Sequence, residues 1–211
     1  MPTRPRWYFD VLSPFAWLQW RRLHALGLQQ QMDLRPVLLG ALLQHHGQLG
    51  PAEIPAKRRF TYRHVCWLAA QQKVPLRFPT AHPFNPLAAL RLIVAAGCTV
   101  TSVDVVLGAV WAEGRAVDTA ESLADAGRAL GIEDVGVAIA DPSVKSKLAE
   151  FGAEALAEGV FGVPTIVDRG QMFWGLDATD LYLEFRADPD LFERPMFNGL
   201  DDVRSGIERK R

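Results

Sequence analysis

Ser13 is followed at once by Pro14, and helical periodicity starts directly afterwards. Serine before a proline at the first helical position is a preferred N-cap. The same place offers unpaired N–H groups and the positive end of a helix dipole to an anion. Ser13 therefore has two readings: a plain cap, or a hydroxyl that meets a negative charge brought in by a ligand. Action as a nucleophile is disfavoured, because Leu12-Ser13-Pro14-Phe15 lacks the G-x-S-x-G elbow and offers no neighbouring base.

Val163-Pro164-Thr165 opens a strand after the glycine-punctuated turn Gly159-Val160-Phe161-Gly162. A trans proline would simply begin an edge strand, whereas a cis bond would turn the Val163 N–H and C=O outward to pair with an extended peptide. Pro83-Phe84-Asn85-Pro86 is a proline-hedged loop in which Asn85 suits a cap or turn. Lys57-Arg58-Arg59 with Arg63 is the densest basic cluster, either a solvated helix face or the source of one charge for a carboxylate. His45, His46, His64 and His82 raise a metal reading, but no metal site is expected, since adjacent His45 and His46 rarely share an ion, and His64 and Cys66 point to different helix faces. Cys66 and Cys98 form no C-x-x-C and are expected as free, buried thiols. Trp17, Trp20, Trp67 and Trp111 sit at apolar helical positions and are expected in the core.

These residues need a scaffold, and 211 residues suffice to bury a core without a metal or disulfide staple. With 49% hydrophobic and 22% charged residues, the chain has an ordinary globular composition. Its 23 basic and 24 acidic side chains leave a net charge of -1, so no overall field favours nucleic acid or anionic lipid. No secretory h-region and no bilayer-length apolar run are visible, which gives a cytoplasmic expectation with no membrane partner. Trp7 to Leu12 reads as a buried strand, Phe15 to Leu28 as a helix stopped by Gly27, and Leu34 to Leu39 as a second, parallel strand. Helical periodicity dominates from Gly40 to about Glu158. Thr165 to Asp168 and Met172 to Trp174 then form a hairpin, with a helix from about Ala178 to Arg186. Pro195 to Arg211 is a packed arm or a frayed tail. The expected class is α/β, a sheet domain of residues 1–40 and 159–211 interrupted by an all-helical insertion of residues 41–158. Ligands in such sheets sit beyond the carboxyl ends of the strands, where Ser13 is delivered.

Trp-Tyr-Phe-Asp-Val-Leu-Ser-Pro-Phe-Ala at 7 to 16, His-Pro-Phe-Asn-Pro-Leu at 82 to 87, Phe-Gly-Val-Pro-Thr at 161 to 165 and Phe-Trp-Gly-Leu-Asp at 173 to 177 form an ordered set. Together they resemble the 2-hydroxychromene-2-carboxylate isomerase family, related to kappa-class glutathione transferases and DsbA-like proteins, over nearly the whole chain to about Phe185. The resemblance implies a thioredoxin-like sheet split by the helical insertion, glutathione as cofactor and a homodimer. It implies that Ser13 hydrogen-bonds the glutathione sulfur. It also implies that Val163 and a cis Pro164 pair with the tripeptide backbone, and that Trp174, Gly175, Leu176 and Asp177 hold its γ-glutamyl end. Asp177 either pairs with the ammonium there or caps the next helix. Phe84, Asn85 and Lys57 are the candidates for contact with a small aromatic carboxylate substrate. The redox relatives begin this helix with C-x-x-C. Here the stretch is Ser13-Pro14-Phe15-Ala16, so disulfide exchange is excluded. Some isomerases carry a lysine early in the insertion, where this chain has Ala41-Leu42-Leu43.

Three activities follow from this reading: reversible thiolate addition that isomerises an aromatic unsaturated keto acid, glutathione transfer, or non-catalytic binding of extended peptides along the Val163-Pro164 edge.

Overall fold

Trp7, Tyr8 and Phe9 are wholly buried, and they form most of the first strand, β1 (Arg6–Phe9), of a computed structural model that describes residues 4–206. The strand ends early because Asp10 folds the chain back. Its carbonyl takes the Ser13 N–H at 3.0 Å and its carboxylate takes the Leu12 N–H at 2.9 Å. Helix α1 (Pro14–Ala25) starts there, and Gly27, at φ +68, lets the chain leave it. Strand β2 (Asp33–Pro36) runs parallel to β1 with Leu34 beside Trp7, the expected βαβ unit. It is shorter than the apolar run suggests, because Leu39 already belongs to helix α2 (Leu39–His45).

Six more helices follow before the sheet resumes: α3 (Pro55–Gln72), α4 (Leu87–Ala95), α5 (Val100–Trp111), α6 (Ala124–Ala129), α7 (Val135–Ala140) and α8 (Pro142–Ala157). Strands β3 (Thr165–Asp168) and β4 (Gln171–Trp174) then form the hairpin, joined by a two-residue turn in which Arg169 and Gly170 both have positive φ. The sheet order is β2-β1-β3-β4, with β3 antiparallel to β1. Helix α9 (Thr179–Ala187) closes the unit. This is the thioredoxin-like sheet with its helices between the two strand pairs.

Buried indoles tie the helical region to the turn after β1. Trp111 donates to the Val11 carbonyl at 2.8 Å, Trp20 to Asp104 at 2.7 Å and Trp17 to the Pro75 carbonyl at 2.9 Å. Each polar N–H thus keeps a partner while its ring fills core space. Trp67 departs from the expectation: it is 58% exposed on α3, where it stacks with His64. The cysteines depart too, since Cys66 is exposed and Cys98 half-buried, though both are free thiols. Trp67 and Cys66 both lie on α3, which buries only Val65 and Ala69. The last stretch packs as far as Phe197, which stands edge-on to Phe192 at 5.2 Å; residues 207–211 of the expected arm or tail lie outside the described residues.

Candidate active site

Ser13 caps α1 with extended backbone, φ -89 and ψ 115, and is only 6% exposed. Its Oγ accepts the Ala16 N–H at 3.3 Å, a long bond, while its carbonyl takes the Ala16 N–H at 3.1 Å as well. Among the described residues no acceptor pairs with the hydroxyl hydrogen. The serine therefore has an uncommitted donor at the positive end of a twelve-residue helix.

A cavity of about 660 Å³ opens over this turn. Leu38, Leu39 and Leu43 form one side, Tyr62, His82 and Phe84 a second, and Phe161, Gly162, Val163 and Trp174 a third. The wall is mostly apolar. Asp10 holds its floor from beneath. The fully buried carboxylate accepts from Leu12 N–H at 2.9 Å and from Leu39 N–H at 2.8 Å, joining the Ser13 turn to the start of α2. Burial outweighs those two bonds and pushes the carboxyl up to about 7.

The Val163-Pro164 bond is cis. Among the described residues neither the N–H nor the C=O of Val163 has a hydrogen-bond partner, whereas the Pro164 carbonyl is taken by Gly175 N–H at 2.8 Å. Trp174, half-exposed, stands edge-on to Phe161 at 5.0 Å and lies over Gly162. A Cβ at Gly162 would come within 2.7 Å of the indole Nε1. Gly162→Ala is therefore expected to push the indole aside at a cost of about 1–3 kcal/mol, read as a changed tryptophan emission together with a lower urea midpoint. An unchanged spectrum would show that Trp174 does not rest there.

Gln19, fully buried on α1, sets the height of the next segment. It accepts from the Trp7 indole at 2.7 Å and donates to the Gly175 carbonyl at 2.9 Å and to Thr179 Oγ1 at 3.1 Å. The Leu176 side chain is buried and its carbonyl accepts from the Thr179 hydroxyl at 2.6 Å, so only its N–H is left for a ligand. Asp177 is exposed and makes no hydrogen bond or ion pair among the described residues. It does not cap α9, which begins beyond Ala178 without a side-chain cap.

Of the three residues expected to face a substrate, the cavity takes only Phe84. Asn85 is exposed, and its Oδ1 accepts the Leu87 N–H at 3.0 Å in a local turn at the start of α4. Lys57 is exposed and lies outside the wall. One residue on, the Arg58 charge reaches both Tyr62 and His82. Burial, and to a lesser degree Arg58, hold the His82 ring below its usual range. Burial raises the Tyr62 phenol. Tyr62 had no reading in the sequence, Asp10 and His82 were read only as members of the motifs at 7 to 16 and 82 to 87, and Gln19, read as off the apolar face of its helix, is buried; the His82-Pro83 bond is also cis. An acid directly after three buried aromatics, and a histidine before a proline, were the available signals.

Residues 6–185 match the family model of the DSBA-like thioredoxin domain. The 2-hydroxychromene-2-carboxylate isomerase of Pseudomonas sp. (strain C18) is 30% identical over 181 residues, covering 81% of this chain and 84% of the relative. The chain belongs to the 2-hydroxychromene-2-carboxylate isomerase family of DSBA-like thioredoxin domains. Glutathione S-transferase kappa 1 of Rattus norvegicus is 24% identical over 198 residues, covering 82% of this chain and 86% of that protein. The solved structure of a 2-hydroxychromene-2-carboxylate isomerase superposes with a TM-score of 0.74 at 24% identity, over 90% of this chain and 96% of that one, and shares its fold. This isomerase-family chain carries no sulfur at the start of α1, where Ser13 and Ala16 stand. Among the described residues no group of three potential ligands could hold a metal, and no helix is long and apolar enough to cross a membrane.

Proposed function

We propose that the protein is a glutathione-dependent isomerase that acts on a small aromatic, unsaturated keto acid or its cyclic hemiketal. One observation carries this reading: the buried Ser13 hydroxyl, with its proton uncommitted at a helix N-terminus, faces a mostly apolar cavity bordered by the unpaired amide groups of Val163. Those groups fit a tripeptide thiol. Val163 presents a donor and an acceptor to its backbone, Ser13 a donor to its sulfur, and the unpartnered Asp177 carboxylate a counter-charge to its ammonium. The name of one relative, glutathione S-transferase kappa 1, supports this cofactor, and that of another, 2-hydroxychromene-2-carboxylate isomerase, supports the reaction.

Bound glutathione supplies a thiolate able to add to a conjugated carbon and leave again, which frees rotation about the former double bond. The protein's part is positioning and electrostatics. Ser13 and the α1 dipole hold the sulfur charged. Val163 fixes the tripeptide along the cis-proline edge. Leu38, Leu39, Leu43 and Phe84 exclude water from the aromatic ring, and Arg58, outside the lining like Lys57 but with its charge felt at Tyr62 and His82, draws the substrate carboxylate toward that wall.

Titration calorimetry with glutathione followed by product analysis tests this. Saturable binding and an isomerised product free of sulfur are expected. A stable thioether product would make the protein a transferase, and the absence of any binding heat would leave only a peptide-binding module.

A further inference from the structure

Tyr62 Oη lies 2.6 Å from His82 Nδ1 and 2.9 Å from the His82 carbonyl oxygen. On the other side of the ring, His82 Nε2 is 2.9 Å from the Leu12 carbonyl. A carbonyl has no proton to give, so Nε2 carries one. In the neutral ring Nδ1 is then a lone pair, and the Tyr62 hydroxyl donates to it. That leaves the His82 carbonyl as a second acceptor within reach of a hydroxyl whose single proton is already spent. One further proton fills every place. Nδ1–H then donates to Oη, the Tyr62 hydroxyl turns to the His82 carbonyl, and Nε2–H stays on Leu12. The pair is thus built to take up and return one proton at Oη with no movement of heavy atoms. Phe78 at 4.6 Å from the Tyr62 ring, and Trp111 at 5.5 Å from the His82 ring, brace it with apolar surface. Both residues wall the cavity, and the anchor on Leu12 ties them to the turn that carries Ser13.

We propose that Tyr62, backed by His82, is the acid–base group that moves a proton between the two oxygens of a cyclic hemiketal substrate as its ring opens. The proposal rests on the isomerase reading above and assigns it a step that Ser13 does not perform. As the ring C–O bond breaks, its electron pair stays on the aryl oxygen. The hemiketal hydroxyl passes its proton to Tyr62 Oη while Tyr62 passes its own to His82 Nδ1, and the carbonyl of the keto acid forms. The proton then returns from Nδ1 to Oη, and Tyr62 delivers one to the aryl oxygen, which becomes a phenol. One proton has changed oxygens, and nothing is oxidised or reduced. Tyr62 is the catalytic residue of this step and His82 a positioning residue behind it.

The test compares two substrates, 2-hydroxychromene-2-carboxylate and the open-chain keto acid whose phenol oxygen carries a methyl group and closes no ring. Tyr62→Phe keeps the ring packed against Phe78 and His82. With glutathione present it is expected to lose a factor of about 100 or more in kcat on the hemiketal and at least about tenfold less than that on the methyl ether. Ser13→Ala slows both. Equal slowing of both substrates by Tyr62→Phe would mark a merely structural role and overturn the proposal, as would no slowing of either. Wild-type protein that converts neither compound removes the isomerase reading, and this proposal with it.

Discussion

Ser13→Ala is expected to bind glutathione nearly as well as wild type but to turn over about 10- to 100-fold more slowly, with the bound thiol titrating upward by roughly one to two pH units. A free thiol ionises near ~8.5 and is only a few per cent thiolate at pH 7, so useful activation requires about 2.7 kcal/mol. A helix terminus supplies about 0.3–1 kcal/mol, up to ~2 in a partly buried site. A hydroxyl donating to a charged acceptor adds about 1.5–3 kcal/mol. The helix alone falls short of the requirement, and helix and hydroxyl together reach it. On the proposed reading, affinity is expected to be retained because Val163 and the segment from Trp174 to Asp177 would hold the rest of the tripeptide. The fold survives because the lost cap bond, at 3.3 Å, is already long. The ultraviolet absorbance of the thiolate, followed against pH in both proteins, reads the shift directly. Superimposable titration curves would remove Ser13 from the activation of sulfur, whatever the rates.

The sheet and the site were legible to different degrees in the sequence, for physical reasons. Strand–turn–helix over residues 6–25 announces itself through three buried aromatics, a capping serine and a proline at the first helical position, all of them local signals. Ser13 was therefore readable, as was the hairpin flanking Arg169-Gly170. Phe84 was readable as a cavity residue only through the likeness of its loop to a family motif. Lys57 shows the limit of charge counting. Four cations cluster on one helix and none of them lines the cavity, although the Arg58 charge is felt at Tyr62 and His82 on its wall. Trp67, expected in the core, is exposed: it lies on the same helix, and apolar spacing did not reveal that only two of the helix's residues are buried. The polar groups that fix the cavity were invisible because their partners are distant in the chain. Asp10 meets Leu39 29 positions away, His82 meets Leu12 across 70, and Gln19 meets Gly175 across 156. Each is a lone polar residue in an apolar stretch until the fold supplies the other half of its hydrogen bond.

Asp10→Asn is expected to destabilise the fold by about 2 kcal/mol or more and to widen the cavity. The carboxylate serves two N–H groups, Leu12 on one oxygen and Leu39 on the other. An amide has only one oxygen, so its NH₂ must face one of these donors, leaving both unsatisfied in a fully buried place. The effect depends on pH with a definite sign. Burial raises the carboxyl from 3.8 to about 7 in the folded protein, so between those values the native state holds a proton that the unfolded chain has released. Wild-type stability should therefore be greatest below pH 4 as far as this group is concerned, fall as pH rises toward 7, and level off above it, by a total on the order of 4 kcal/mol. The asparagine variant lacks that slope, so its deficit is largest near pH 4 and shrinks toward pH 8. Urea unfolding of the two proteins across that range measures it, and a variant that keeps the wild-type slope would assign the titration to another group. Because Asp10 joins the turn before Ser13 to the start of α2, whose Leu39 and Leu43 line the cavity, loosening it should also raise KM for the apolar substrate more than it lowers kcat. A loss confined to kcat would instead mean that Asp10 acts on the sulfur through Ser13.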